Sequence, residues 1–184
     1  MRILKDEKIY DGEFIRVVKR HFIDREGTQR VWEMVERKTH GRIVAIAAIT
    51  PQAELVLEKT FRLPLATAVV ELPAGVMDIE GESEEIAVRR ELLEETGYEV
   101  DSLELLYGGP FNGGLTSDEM AVYLGQNARR VGDPTPDPAE EIEVILVPLA
   151  KLFDFLSSTK DIKVDIKVAS IIPFLASRRL FPTL

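Results

Sequence analysis

Glutamate is unusually dense between Glu82 and Glu95, where it fills six of 14 positions, and this segment is the part of the chain best suited to chemistry. If the segment is helical, Glu84, Glu91 and Glu95 share one stripe, because residues four and seven apart lie on the same face. Neighbouring like charges destabilise a helix by roughly 0.2–0.5 kcal/mol per pair, so the stripe indicates a bound cation. Hard divalent ions such as Mg²⁺ take oxygen ligands and are commonly shared between carboxylates and substrate phosphates. A solvated acidic face is the alternative explanation.

The overall composition limits the classes of function that remain open. With a formal net charge of −9, the chain is not expected to bind nucleic acid, although a small anionic substrate stays possible beside a metal ion. There is no cysteine, which excludes disulfides and thiolate chemistry, and the two histidines, His21 and His40, argue against a multi-histidine metal site. No apolar run approaches the roughly 18 residues of a membrane span, and no signal-peptide segment is visible, so we expect a cytoplasmic protein without a membrane partner.

Hydrophobic patterns divide the chain into residues 1–40 and 41–184. The first part predicts two short strands around a turn at Asp11-Gly12 and a third strand over residues 30–37. Such a small antiparallel sheet buries little alone, so we expect it to lie on the main domain or on a partner subunit.

The second part predicts a mixed α/β domain. The apolar run from Ile43 to Ile49 is typical of a buried central strand. The acidic segment predicts a helix with Gly97 at its end, and Ile86, Val88, Leu92 and Leu93 are expected to form the core face of that helix. Further strands are predicted near 54–59, 68–72, 101–107, 119–124 and 142–147, and helices over 149–157 and 161–179, the last split at Pro173.

The spacing of the acidic segment resembles the signature of the Nudix hydrolase family, here called the Nudix box. Glu82 is followed after seven residues by Arg90-Glu91-Leu92, and then by Glu94-Glu95 and Gly97. Two positions depart from the signature: six residues instead of five separate Gly75 from Glu82, and Tyr98 replaces an aliphatic residue. The resemblance implies an α/β/α sandwich around a mixed sheet over residues 41–184. It also implies a hydrolase that uses Mg²⁺ or Mn²⁺.

The resemblance also implies roles for individual residues of the box. By position, Glu91 and Glu95 would be metal ligands, and the backbone carbonyl of Ala74 would complete the site. Glu94 would be a ligand or would orient the attacking water, and Arg90 would hold Glu94 in place.

Two segments before the box resemble one branch of the family, the ADP-ribose pyrophosphatases and nucleoside diphosphate sugar hydrolases. They are Glu58-Lys59-Thr60-Phe61-Arg62 and Glu71-Leu72-Pro73-Ala74-Gly75. The resemblance implies that Arg62 binds the diphosphate, because a guanidinium can donate two hydrogen bonds to phosphate oxygens. A surface charge without a role is the alternative explanation. It also implies a homodimer that exchanges its N-terminal sheets, so that residues 1–40 act as a dimerisation element. Trp32 would then stack on a nucleobase beside Glu33, unless Trp32 is an interface or core aromatic.

Later loops supply the remaining candidates. The acidic loop over 137–143 predicts Glu140 as catalytic base or additional metal ligand, with Glu141 as the second choice. Glu119 is the expected polar contact from the loop over 112–119. Gly113 stands where ADP-ribose pyrophosphatases usually carry proline, which argues against ADP-ribose and leaves other nucleoside diphosphate sugars such as GDP-mannose open.

We therefore predict hydrolysis of a nucleoside diphosphate sugar to a nucleoside monophosphate and a sugar phosphate. The alternatives are a non-catalytic nucleotide-binding module and a nucleoside triphosphate pyrophosphohydrolase.

Overall fold

The computed structural model of the chain describes residues 1–38, 41–158 and 162–181. The predicted boundary at residue 40 and the predicted start of the last helix at residue 161 lie outside these ranges.

The first three strands form a separate antiparallel sheet, here called the N-terminal sheet. Its strands are β1 (Arg2–Asp11), β2 (Ile15–Ile23) and β3 (Gln29–Arg37), in the order β1-β2-β3. The second turn is fixed by Asp24, whose carboxylate accepts hydrogen bonds from the backbone N–H groups of residues 26 and 28. Every residue of β1 is exposed, so the sheet buries little within one chain, as its sequence predicts.

The N-terminal sheet rests on the loop over residues 111–118. The N–H of Val35 donates to the carbonyl of Leu115 at 2.9 Å, and the indole Nε1 of Trp32 donates to the carbonyl of Gly114 at 3.0 Å. Together these bonds place the end of β3 beside the main domain.

The main domain is built on an eight-stranded mixed sheet. Its strands are β4 (Ile43–Ile49), β5 (Glu54–Arg62), β6 (Thr67–Glu71), β7 (Ala74–Val76), β9 (Ser102–Pro110), β10 (Glu119–Gln126), β12 (Ile142–Pro148) and β13 (Lys163–Val164). The order is β13-β6-β5-β4-β10-β9, with β12 beside β5 and β7 beside β4. The pairs β4–β10 and β6–β13 are parallel and the others antiparallel. A separate short ladder joins β8 (Tyr98–Glu99) to β11 (Arg129–Arg130).

Helices cover both faces of this sheet, which confirms the predicted α/β/α sandwich. One face packs against α1 (Glu84–Thr96), and the other against α2 (Leu152–Ser158), α3 (Ile166–Ser170) and α4 (Ile172–Ser177). All seven residues of β4 are buried, because its alternating side chains enter the two cores in turn. Pro173 lies in the first turn of α4, so the chain breaks into two helices just before it, as predicted. The predicted start of that helical segment is wrong, because Lys163 and Val164 pair with β6 as strand β13 and α3 begins only at Ile166. No helix in the described ranges is long and apolar enough to cross a bilayer.

The ends of α1 follow from its sequence, but its predicted core face is partly wrong. The Ser83 hydroxyl accepts a hydrogen bond from a first-turn N–H at 3.3 Å, and Gly97 ends the helix in the left-handed conformation at φ 74°. Val88 is buried as predicted, whereas Ile86 is 58% exposed. Because a helix turns roughly 200° over two positions, Ile86 and Val88 point to nearly opposite sides of α1 and cannot both face the core. Leu93 is exposed as well, at 37%.

Candidate active site

A cleft of about 610 Å³ opens beside α1, within the size range of small-molecule sites. Seven of the sequence-predicted site residues line it: Arg62, Ala74, Arg90, Glu91, Glu94, Glu95 and Glu140. They come from the end of β5, the start of β7, one face of α1 and the loop before β12. The fold therefore brings together residues that are up to 78 positions apart in the printed sequence.

Arg90 organises the carboxylates on the α1 side of the cleft. Its Nε and Nη2 donate to the two oxygens of Glu82 at 3.0 and 3.1 Å, and Glu82 is nearly buried. Its Nη1 lies 3.1 Å from Glu94 and 2.8 Å from Glu91. The hydrogen bonds that Arg90 donates to Glu82 are the main cause that raises the pKa of the Arg90 guanidinium. The predicted contact of Arg90 with Glu94 is present. No role was predicted for Glu82 from the sequence, although its fixed position in the Nudix box indicated one.

Gly75 makes room for the carboxylate of Glu91. A Cβ atom at Gly75 would lie 2.0 Å from Glu91 Cδ and 2.1 Å from its Oε1. Glycine is therefore required at position 75 because any side chain there would collide with the carboxylate of Glu91 in its present position. Burial raises the pKa of Glu91, although the adjacent Arg90 opposes that shift.

The one-residue insertion before the helix is absorbed by a turn. The N–H of Glu82 donates to the carbonyl of Ile79 at 3.2 Å, and Gly81 takes φ 82°, which favours glycine. Glu82 consequently still reaches Arg90. The same loop brings Asp78 to the wall of the cleft.

Glu95 lies deepest among the helix carboxylates and contacts a second buried acid. Its Oε2 accepts a hydrogen bond from the Ala74 N–H at 3.0 Å. Burial raises the pKa of Glu95, and the neighbouring Glu58 raises it further. Glu58, on β5, is 1% exposed, and burial also raises its pKa. Sequence reasoning gave Glu58 no role, although a glutamate that ends an apolar strand run was a visible signal.

Arg62 lies in the cleft but is already paired. Its Nε and Nη2 donate to the two oxygens of the buried Glu71 at 2.8 and 2.9 Å. This fork is the main cause that raises the pKa of Arg62. The arrangement presents a fixed, permanently charged guanidinium at the wall of the cleft.

Glu84 and Glu119 are held away from the cleft by one arginine. Glu84, the first residue of the acidic stripe, receives hydrogen bonds from Arg42 at 2.9 Å and from the Tyr123 hydroxyl at 2.7 Å. Glu119 lies 3.3 Å from the same Arg42. Glu84 is therefore engaged in joining α1 to the sheet, and Glu119 is outside the cleft lining.

The candidates on β3 also lie outside the lining within one chain. Trp32 is 54% exposed and bonded to Gly114, and Glu33 lies 3.6 Å from Lys19. A different residue of this strand, Arg37, does line the cleft, held by Asp118 at 3.0 Å. Nothing in the sequence distinguished Arg37 from the other charged residues of the strand.

Two further cleft residues, Lys167 and Asp137, were not among the predicted site residues. Lys167 reaches the cleft from α3, and its Nζ lies 2.5 Å from Asp165, which also caps that helix. Asp137 lines the cleft together with Glu140, whereas the second choice, Glu141, does not. These placements depend on how the C-terminal helices and the last loop pack, which periodicity alone does not reveal.

The residues of the cleft fit a hard divalent cation. The donors that line the cleft are carboxylate and backbone oxygens. Behind Glu95, one buried oxygen outside the lining, Glu58 Oε2, has no hydrogen-bond partner. Within the described ranges, no group of three or more His, Asp or Glu side chains lies close enough together to hold a metal ion by itself. An ion would therefore take part of its coordination from backbone, water and substrate oxygens, as Mg²⁺ commonly does.

Comparisons with known proteins agree with this geometry. Residues 39–167 match the NUDIX domain. An ADP-sugar pyrophosphatase from Mus musculus is 31% identical over 182 residues, which cover 90% of this chain and 83% of that protein. An ADP-ribose pyrophosphatase from Bacillus subtilis (strain 168) is 28% identical over 175 residues, covering 95% and 91%. The crystal structure of an ADP compounds hydrolase superposes with a TM-score of 0.81 at 21% identity, covering 96% of this chain and 94% of the other, and shows the same fold. The chain therefore belongs to the Nudix hydrolase family.

Proposed function

We propose that the protein is a cytoplasmic, Mg²⁺- or Mn²⁺-dependent pyrophosphohydrolase that cleaves a nucleoside diphosphate sugar to a nucleoside monophosphate and a sugar phosphate. The observation that carries this proposal is the meeting of Glu91, Glu95 and Glu140 with Arg62 in one cleft. The names of the relatives favour an ADP sugar such as ADP-ribose over GDP-mannose as the substrate.

The proposed metal ligands are Glu91, Glu95, Glu140 and the backbone carbonyl of Ala74. A bound divalent ion polarises the phosphorus centre and lowers the pKa of the attacking water. Arg90 supports this site by fixing the carboxylates of Glu91 and Glu94, and Glu94 in turn orients the water. Because Glu140 lies in the cleft on a loop separate from the helix, the alternative to its role as a ligand is that of general base.

Arg62 is the proposed contact for the diphosphate. A guanidinium held by a buried carboxylate loses little side-chain entropy on binding, because its geometry is already fixed. The charge on the substrate phosphates would then be offset from two sides, by the ion on the helix side and by Arg62 on the sheet side.

The proposal includes a homodimer in which N-terminal sheets are exchanged. The ten-residue strand β1 is exposed throughout and carries Ile3, Ile9 and Tyr10, an arrangement that favours a partner surface. In such a dimer, Trp32 and Glu33 would contact the base of a substrate bound to the other subunit, and Glu119 would border the same region. Size-exclusion chromatography with light scattering tests the dimer, and a monomer at micromolar concentration would contradict it.

A substrate panel tests the proposed activity. ADP-ribose, GDP-mannose, UDP-glucose and ATP are incubated with Mg²⁺ and, in parallel, with EDTA, and the products are separated by ion-exchange chromatography. We expect AMP and ribose 5-phosphate from ADP-ribose, with no product in EDTA. Pyrophosphate released from ATP alone would indicate a nucleoside triphosphate pyrophosphohydrolase. Nucleotide binding without any product would indicate a non-catalytic module.

A further inference from the structure

Glu58 is a carboxylate buried in the middle of the sheet, and the roles proposed above do not use it. On its strand, Val56 packs toward α1 and Leu57 toward the C-terminal helices. Because side chains alternate along a strand, Glu58 faces α1 together with Val56. It lies opposite Glu71 of the neighbouring strand β6, and Glu71 lines the cleft.

The charges around Glu58 do not balance within the protein. Glu58, Glu71 and Glu95 are 1%, 5% and 5% exposed. Among the ion pairs of the described residues, only those of Arg62 reach this group. Arg62 places its fork on Glu71, and its Nη2 is 4.0 Å from Glu58 Oε1. The other oxygen, Glu58 Oε2, has no hydrogen-bond partner. Like charges opposite each other on neighbouring strands are destabilising, and burial without a partner adds to that cost.

Packing alone does not account for a glutamate at this position. The three preceding residues, over 55–57, are apolar and fully buried, and a further apolar side chain would continue the strand without an electrostatic cost. A shared proton between Glu58 and Glu95 is one way to relieve the repulsion. A divalent cation is another, and it would satisfy the unpartnered oxygen at the same time.

We propose that Glu58 is a ligand of the divalent cation, reaching it through Oε2 from β5 while Glu95 reaches it from α1. This inference rests on the metal site of the proposed function, and it adds a ligand from outside the Nudix box. Glu58 would join the ligands proposed above, and water and substrate oxygens would complete the coordination, as is usual for Mg²⁺.

Mn²⁺ titration followed by electron paramagnetic resonance tests this assignment without reference to turnover. The proteins compared are wild type, Glu58→Gln, and Glu143→Gln as the matched control. Glu143 is on the neighbouring strand β12, where it pairs with Lys59 at 2.8 Å outside the cleft. We expect Glu58→Gln to weaken Mn²⁺ binding by at least about tenfold and Glu143→Gln to bind as wild type does. Without metal, Glu58→Gln should melt no lower than wild type, since it removes a buried charge.

The outcomes separate this inference from the function on which it rests. Unchanged Mn²⁺ affinity in Glu58→Gln would overturn the inference and leave the proposed function standing. A wild-type protein that binds no Mn²⁺ would overturn both. If Glu58→Gln does not fold, crystals of the wild-type protein soaked in Mn²⁺ decide the question. An anomalous peak within about 2.5 Å of the Glu58 carboxylate supports the assignment, and a peak beyond its reach refutes it.

Discussion

Replacing Gly75 by alanine should separate activity from stability. The new Cβ would lie 2.0 Å from Glu91 Cδ, so the carboxylate must retreat by about 1.4 Å to reach ordinary van der Waals distance. Glu91 can make this movement because its carboxylate is the far end of a flexible side chain. The free energy of unfolding should therefore fall by no more than about 1 kcal/mol. The same movement takes the carboxylate away from the proposed ion. A misplacement of about 1 Å can cost about 10²-fold in rate, so we expect kcat/KM for ADP-ribose to fall by about that factor.

The assay is the initial rate of AMP release with Mg²⁺, alongside chemical denaturation of the same preparations. Gly132→Ala is the matched control, because a Cβ at Gly132 meets no atom within 4 Å and the position lies outside the cleft. Wild-type kcat/KM in Gly75→Ala would show that the position of Glu91 against Gly75 is not the working one, and the reasoning would fail.

Three further outcomes follow from contacts in and near the cleft. Arg90→Lys should lower kcat about 10- to 100-fold with little change in KM, because lysine cannot donate two hydrogen bonds to Glu82 and still hold the cleft carboxylates. A rise in KM as large as the fall in kcat would contradict this. Burial raises the folded-state pKa of Glu58 and Glu95 above the usual 4.5, so the unfolded chain loses these protons first as the pH rises. The metal-free protein should therefore become less stable from about pH 5 to about pH 8, and Mg²⁺ should raise its melting temperature more at the higher pH; a flat profile in thermal melts would contradict this. Gly97→Ala should destabilise the fold by at least about 1 kcal/mol in urea denaturation, since φ is 74° and the new Cβ would lie 2.3 Å from a backbone carbonyl oxygen; an unchanged midpoint would contradict this.

The fold was largely predictable because its strongest signals are local. The uninterrupted apolar run of β4 indicated a strand buried on both faces, and Ser83 and Gly97 marked the two ends of α1. The strand β7 was missed, since Pro73-Ala74-Gly75 has the composition of a turn. Those residues are extended because they pair with β4 in the folded chain, which is a tertiary effect. Ile86 is exposed because the buried face of α1 is narrower than the set of apolar residues in its sequence.

The site was predictable as far as the motif extended. The spacing of the box brought Arg90, Glu91 and Glu95 to one helix face, and the structure places them in the cleft. Lys167 joins them in the cleft, and Glu58 contacts Glu95, only because distant strands and helices pack together, and no local sequence pattern predicts such contacts.

The most direct test of the central claim is the rate of ADP-ribose hydrolysis by Glu95→Gln in saturating Mg²⁺. This change keeps the size of the side chain and removes the charge that the proposed ion requires. The variant should melt no lower than the metal-free wild-type protein, and its kcat/KM should fall at least about 10²-fold. A folded Glu95→Gln protein that keeps most of the wild-type rate would contradict the assignment of this cleft as a metal-dependent hydrolytic site.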